Sequence, residues 1–202
     1  MRHLLLTAAS AALMLIPSAA QAQIEKYSFD KAHTQILFFV NHLGFSNSQG
    51  EFLDYDGHIT FDEAAPEIGN VEVSIKTASI DMDDEKWDTH MKSADFFNVE
   101  QFSDMTFKST GIEVTGEQTA NITGDLTILG VTKPVTLAAT HNKSGKHAFS
   151  GKYVSGFSAS AMIKRSDFGM EYGLPLVGDE VTIRLEVEAV RDEEGGEGTG
   201  NK

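Results

Sequence analysis

Polar and apolar residues alternate at period two along most of the chain, the signature of strands with one wet face and one dry face. In 71–77, Val71, Val73, Ile75 and Thr77 point one way and Glu72, Ser74 and Lys76 the other. Ala120, Ile122, Gly124, Leu126 and Ile128 repeat the pattern, and so do Val181, Ile183, Leu185, Val187 and Ala189. Further strands are predicted over 34–42, 50–62, 102–113, 133–142 and 148–163, eight in all. Short connections, such as a turn at Asn142–Gly145, favour antiparallel neighbours, because a parallel crossover needs a dozen or more residues. Eight long antiparallel strands make a sandwich or close into a barrel, and closure removes the exposed edges.

Two stretches depart from simple alternation. Residues 36–40, Ile-Leu-Phe-Phe-Val, are apolar on both faces, so Leu37 and Phe39 cannot share a core with Ile36, Phe38 and Val40. A helix, a terminus or a second subunit must cover one set, which leaves a homodimer open. Residues 82–93 read as a short helix with Asp81 as its N-cap, acids in the first turn, Lys92 near the end, and an apolar stripe of Trp87, Met91 and Ala94.

Composition narrows the chemistry. The 202 residues contain no cysteine, which excludes disulfides, thiolate nucleophiles and cysteine-ligated metals. A net charge of −14 argues against nucleic acid and against anionic lipid headgroups as partners. Residues 1–22 read as a cleaved signal peptide: Arg2, an apolar run from Leu4 to Ile16 too short to span a bilayer, and Ala20-Gln21-Ala22 before Gln23. The expected destination is a bacterial periplasm, with extracellular release as the alternative. No later segment is apolar enough to be an integral membrane span. Residues 192–202, acidic and glycine-rich, carry nothing to anchor them to a core and are expected to be disordered, leaving 23–191 as one domain.

Catalytic signatures are sparse. His33, His42, His58, His90, His141 and His147 form no HExxH or close HxH pair, and Asp81-x-Asp83-x-Glu85 lacks the glycine of a calcium loop, so no metal or other cofactor is expected. Asp54, Asp56 and His58 share a strand face with Phe52, opposite Leu53, Tyr55, Ile59 and Phe61; solvent exposure is the ordinary account of such carboxylates. Thirteen phenylalanines against one tryptophan and four tyrosines are a heavier clue. They either fill a packed core or line a tube for a long apolar ligand, and composition leaves both open.

Several ordered motifs carry a resemblance. These are Tyr27-x-Phe-Asp-x-x-His33, Phe39, His42-Leu-Gly-Phe-Ser46, Gly50-x-Phe52, Gly57-x-Ile-x-Phe-Asp62, the Trp87–Phe97 block, Phe107-Lys-Ser-Thr110, Gly124–Val135, Arg165–Met170 and Val177-Gly-Asp-x-Val181. Together they resemble the YceI-like family of exported lipid-binding proteins, departing at Trp87, where the family pattern has an arginine. The resemblance implies an elongated, lipocalin-like, eight-stranded antiparallel barrel. Its interior would hold a long-chain isoprenoid, a quinone-like molecule or a fatty-acid-derived lipid. Phe39, Phe52, Phe107, Leu126, Val135 and Phe168 become ligand-binding candidates. Asp88 and His90 in the helical block, and Arg165 beside Asp167, are candidates for the polar head, with a fold-stabilising Arg–Asp network as the alternative for the last pair. The implied role is binding, transport or sequestration with no catalytic residue. A structural or stress-response binding module and an enzyme acting on a lipid remain as rivals.

Overall fold

A computed structural model describes residues 23–193. Residues 1–22, expected to be a signal peptide, and all of the tail beyond residue 193 lie outside the described residues. In chain order the elements are β1 (Glu25–Phe29), β2 (Gln35–His42), β3 (Ser46–Phe52), β4 (Tyr55–Phe61), β5 (Asn70–Lys76) and β6 (Ile80–Asp81). Helix α1 (Glu85–Lys92) follows, then β7 (Asp104–Val114), β8 (Thr119–Ile128), β9 (Val131–Lys146), β10 (Tyr153–Lys164) and β11 (Val177–Arg191).

These eleven strands build an eight-stranded antiparallel barrel, because six of them are halves of three broken staves. β11 pairs with β2 over 177–186 and with β1 over 189–191, so β1 and β2 together close the wall. β3 lies along β2 and β4 along β1; β6 lies along β3 and β5 along β4. From β5 the wall runs through β7, β8, β9 and β10 to β11. The ring β1–β4–β5–β7–β8–β9–β10–β11 closes on itself, which is how closure protects a sheet from outside strands, whereas β3 is covered on its second side only at Glu51 and Phe52 by β6.

The breaks align across the three staves, and each is held by hydrogen bonds. At 30–34 the Asp30 carboxylate accepts from the Ala32 amide at 3.0 Å and bonds the His33 ring at 2.9 Å. At 53–54 the Leu53 amide reaches the Ser79 carbonyl at 3.1 Å, and the Lys76 amide reaches the Asp54 carbonyl at 2.9 Å. At 77–79, buried Thr77 donates its hydroxyl to the Phe102 carbonyl at 2.6 Å.

The structure corrects several local expectations. A single strand over 50–62 would put Phe52 and Tyr55 on opposite faces, yet the two-residue break turns both inward, 6% and 3% exposed, and leaves Leu53 and Asp54 outside. The predicted turn at Asn142–Gly145 is strand. The extra residue there is absorbed by a bulge opposite Gly156/Phe157, and the connection falls at 147–152. β1 escaped the alternation reading because it is short, with Tyr27 as its only fully buried side chain. The helix is capped by Asp84, which accepts from the Trp87 amide at 3.0 Å, three residues later than expected. Asp83 adopts a left-handed backbone (φ 59°), and that turn delays helical geometry until Glu85. Of the expected stripe, Met91 is buried, Trp87 half-buried and Ala94 exposed. Among the described residues no helix is long and apolar enough to cross a membrane.

Two glycines show how the wall admits large rings. A Cβ on Gly50 would collide with the Phe38 ring and the Met82 sulfur, and one on Gly124 would collide with the Phe107 ring and approach the Lys108 carbonyl. Each aromatic ring therefore lies over a glycine of the adjacent strand, Phe38 over its direct partner Gly50 and Phe107 over Gly124, diagonal to its partner Leu126.

Candidate functional site

The inward faces of the staves enclose a cavity of about 460 Å³ running along the barrel. Its wall comes from the alternating positions themselves: Val71, Val73 and Ile75 on β5, Ile122, Leu126 and Ile128 on β8, and Val181, Ile183, Leu185 and Val187 on β11. Toward the helix end, Met82, Met91, Met105 and Met170 join Phe52, Phe97 and Phe168. Flexible thioethers among rings give that half of the wall a surface able to conform to different chain shapes. Phe52 sits edge-on to Phe97 with ring centroids 5.4 Å apart, and Phe38 lies 5.7 Å from Phe52.

The helix-end mouth is ringed by aromatic and imidazole groups. His90, Phe96 and Tyr172 pack mutually edge-on, with centroids 5.0, 5.1 and 5.3 Å apart. The His90 ring also meets the Asp95 carboxylate at 3.1 Å, and His42 lies 6.2 Å from Trp87. The opposite end has a different chemistry: Glu63, Pro66, Glu117, Gln118 and Thr119 border it. At this same end, where its amide donates to the Gln118 carbonyl at 2.8 Å, His141 faces the cavity against Phe61 and Phe157, each 5.3 Å away, while its Nε2 bonds the Ser144 hydroxyl at 2.8 Å. Ser144 in turn bonds fully buried Ser155 at 2.6 Å.

Of the residues singled out from sequence, Phe52, His90, Phe107, Leu126, Val135, Arg165 and Phe168 border the cavity. Phe39 does not. It pairs with Gln49 and Thr182 and stays half-buried, while neighbouring Phe38 takes the interior. With both faces of 36–40 apolar, alternation alone has no phase; Gly50 sets it by leaving room for the Phe38 ring. Asp88 also stands off the cavity, accepting from the Met82 amide at 2.7 Å and so fixing the entry to α1.

Arg165 is 5% exposed, and its guanidinium is consumed by the backbone. Nε donates to the Gly178 carbonyl at 2.8 Å, Nη1 to Met170 and Tyr172 at 3.1 and 2.8 Å, and Nη2 to Val177 at 3.1 Å. Burial pulls its pKa below the ordinary value, opposed by the charge of Asp179. The expected Arg165–Asp167 pair is not formed. Asp167 is exposed, and Asp179 holds the segment instead, accepting from the Ser166 amide and hydroxyl at 2.9 and 2.8 Å. Those bonds, the amide first, lower the Asp179 pKa. Arg165 is thus a clamp on residues 170–178 rather than a free cation at the mouth.

Among the described residues no buried side-chain nitrogen or oxygen lacks a hydrogen-bond partner. The cavity therefore makes no polar demand on its occupant, and what it rewards is apolar surface. Asp30, His33 and Glu188 bring ligand-type atoms within 4.8 Å of one another outside this cavity. There the Asp30–His33 bond and the Asp30 cap on Ala32 account for the arrangement as part of the stave break.

Mouth residues that the sequence reading missed, notably His42, Phe96 and Tyr172, come from three separate segments, and only closure of the barrel gathers them. His42 opens the His42–Ser46 motif and Phe96 lies in the Trp87–Phe97 block, but neither motif shows which of its residues faces a mouth.

The model of the YceI-like domain matches residues 27–189. A UPF0312 protein of Azotobacter vinelandii is 42% identical over 175 residues, which cover 86% of this chain and 91% of that protein. A second, from Ectopseudomonas mendocina, is 42% identical over 173 residues, 85% of this chain and 90% of that protein. Among solved structures, BcnA of Burkholderia cenocepacia superposes with a TM-score of 0.73 at 26% identity, covering 79% of this chain and 98% of its own. The Campylobacter jejuni YCEI protein gives 0.68 at 36% identity, covering 76% and 90%. A polyisoprenoid binding domain from Saccharophagus degradans, at 12% identity and TM-score 0.64, covers 84% of this chain and 100% of its own and shares the fold.

Proposed function

Because this chain belongs to the YceI-like domain family, we propose that it binds one long-chain isoprenoid, or a similar amphiphilic lipid, inside the barrel and carries or sequesters it in the periplasm. The observation that carries the reading is the continuous apolar wall of the 460 Å³ cavity, in which the buried polar groups are already satisfied. Each methylene taken from water contributes about 0.8 kcal/mol, so a long chain binds well after its ordering cost, with no bond made or broken. The Saccharophagus domain is described as binding polyisoprenoid, and the common fold makes that ligand class the natural one to test here.

A methyl-branched chain suits the helix-end half, where methionines and phenylalanines together line the bore. The head is placed at a mouth, where His90 and Tyr172 offer polar edges without a fixed charge clamp. The compartment rests on residues 1–22, whose composition supports export and cleavage before Gln23. Protein purified without detergent should show a bound lipid mass by native mass spectrometry. A ligand-free protein that also refuses a polyprenol would overturn the reading.

A further inference from the structure

A lipid carrier must meet the phase its cargo comes from, and both ends of this barrel expose apolar side chains: Ile24, Ile68, Val114 and Phe149 at one, Leu43, Phe45, Tyr172 and Leu176 at the other. β2 and β11 end side by side at the His42–Val177 pair, and both residues border the cavity. Beyond that pair the chain presents Leu43 and Phe45 on one loop, 45% and 89% exposed, and Tyr172 and Leu176 on the other, 50% and 69% exposed. Loose ends would explain such exposure, but both loops are tightly held. In the first, the Gly44 amide donates to the Asn41 side chain at 2.9 Å and the Phe45 amide to the His42 carbonyl at 3.0 Å. In the second, the Val177 amide donates to the Gly173 carbonyl at 2.9 Å, and Arg165 clamps the Tyr172 and Val177 carbonyls from within. The fold thus holds these side chains out in water.

Charge decides what they face. The chain carries 30 acidic and 16 basic residues, yet neither 41–50 nor 172–178 contains a single Asp, Glu, Lys or Arg. The opposite end is bordered by Glu63 and Glu117. Two loops without a formal charge, on a chain of net charge −14, gain nothing from anionic headgroups and are repelled by them at long range. They match an electrically neutral layer into which apolar tips can sink.

We propose that the helix-end mouth docks on a neutral, zwitterionic lipid surface through Phe45 and Leu176, flanked by Leu43 and Tyr172, so that the cavity opens directly onto the layer. This rests on the lipid-binding reading of the cavity, whose failure the test detects separately.

The test is co-flotation of the whole mature chain with phosphatidylcholine vesicles, alone or mixed with phosphatidylglycerol. In parallel, uptake of a polyprenol delivered from ethanol is read by native mass spectrometry. The expected result is binding to phosphatidylcholine, weakened by admixed phosphatidylglycerol. Phe45→Asp with Leu176→Asp should reduce it at least about ten-fold while polyprenol uptake is retained. Circular dichroism of the variant controls for folding, and Phe45→Ser alone, at a nearly fully exposed position, gives a milder second reading. Polyprenol uptake without vesicle binding overturns the docking and leaves the cavity reading standing. Absence of polyprenol uptake overturns both. Stronger binding to the anionic vesicles, or a dimer that Phe45→Asp splits, shows another occupant on this patch and likewise overturns the proposal.

Discussion

The Tyr55 hydroxyl donates to the Thr34 carbonyl at 2.7 Å, joining the break in one stave to the break in its neighbour. Tyr55 is 3% exposed and Thr34 7%, so the bond lies in the wall itself. It explains how a barrel interrupted on three adjacent staves stays closed. The bends are fastened to one another, and the apolar lining runs past them without a gap. Burial, the largest influence, raises the Tyr55 pKa above its ordinary value and keeps the phenol a donor.

Tyr55→Phe leaves that carbonyl without its donor at nearly constant volume. The expected loss is about 1–3 kcal/mol of unfolding free energy, measured by urea denaturation. A loss near zero would show that water replaces the hydroxyl and that the breaks are fastened elsewhere.

Arg165→Lys separates a clamp from a headgroup ligand. A lysine retains the charge but cannot reproduce the planar fork that reaches four carbonyls. Stability should fall by more than about 2 kcal/mol in thermal or chemical melts, because buried acceptors are left unpaired. Unchanged stability with lost lipid occupancy would instead make the guanidinium a ligand contact.

Gly124→Ala drives a methyl into the Phe107 ring and the Lys108 backbone, and should cost about 1–3 kcal/mol as overpacking. Adding Phe107→Leu should return part of that loss, which a double-mutant cycle in urea would register. Strict additivity would mean that the backbone contact alone carries the strain.

Ala159→Phe puts a ring into the bore at a position that borders the cavity and is only partly buried. The fold should survive, and the lipid that co-purifies should become shorter or vanish in native mass spectrometry. Wild-type occupancy by the same species would place the ligand elsewhere.

The first stave break carries a pH signature. The bond to Asp30 raises the His33 pKa above the ordinary 6.5, and the same bond to His33 is the main reason the Asp30 pKa falls below 3.8. A raised histidine contributes stability that is fully present below 6.5 and lost as pH climbs through its folded value. A lowered aspartate contributes stability present above 3.8 and lost as pH falls through its folded value. The pair therefore acts most strongly between those limits. Its effect is small because both side chains reach water. An NMR titration should find His33 with a midpoint above 6.5 that drops in Asp30→Asn; an unmoved midpoint would dissolve the pairing.

Much of the lining is legible in the sequence. Where one face of a strand is polar, as with Glu72, Ser74 and Lys76 or with Thr182, Arg184 and Glu186, water assigns the direction. The opposite residues, Val71 to Ile75 and Val181 to Val187, accordingly border the cavity. Leu126, Val135 and Phe107 follow from the same rule. It stops working where both faces are apolar. At 36–40 the choice of Phe38 over Phe39 depends on Gly50 across the ladder, a residue on another strand.

The sequence by itself determined an all-β chain of eight staves, one short helix near 82–93, apolar strand faces and no thiol chemistry, since period-two patterning and composition are local properties of the chain. Tertiary structure decided the rest. Local pattern could not place the breaks at 30–34 and 53–54, whose geometry is set by bonds such as Tyr55 to Thr34 between staves. Nor could it show that the Arg165 charge is spent on backbone carbonyls downstream, or that His42, His90 and Tyr172 share a mouth. A side chain's chemistry is written in its own atoms, but its partners are chosen by closure of the barrel.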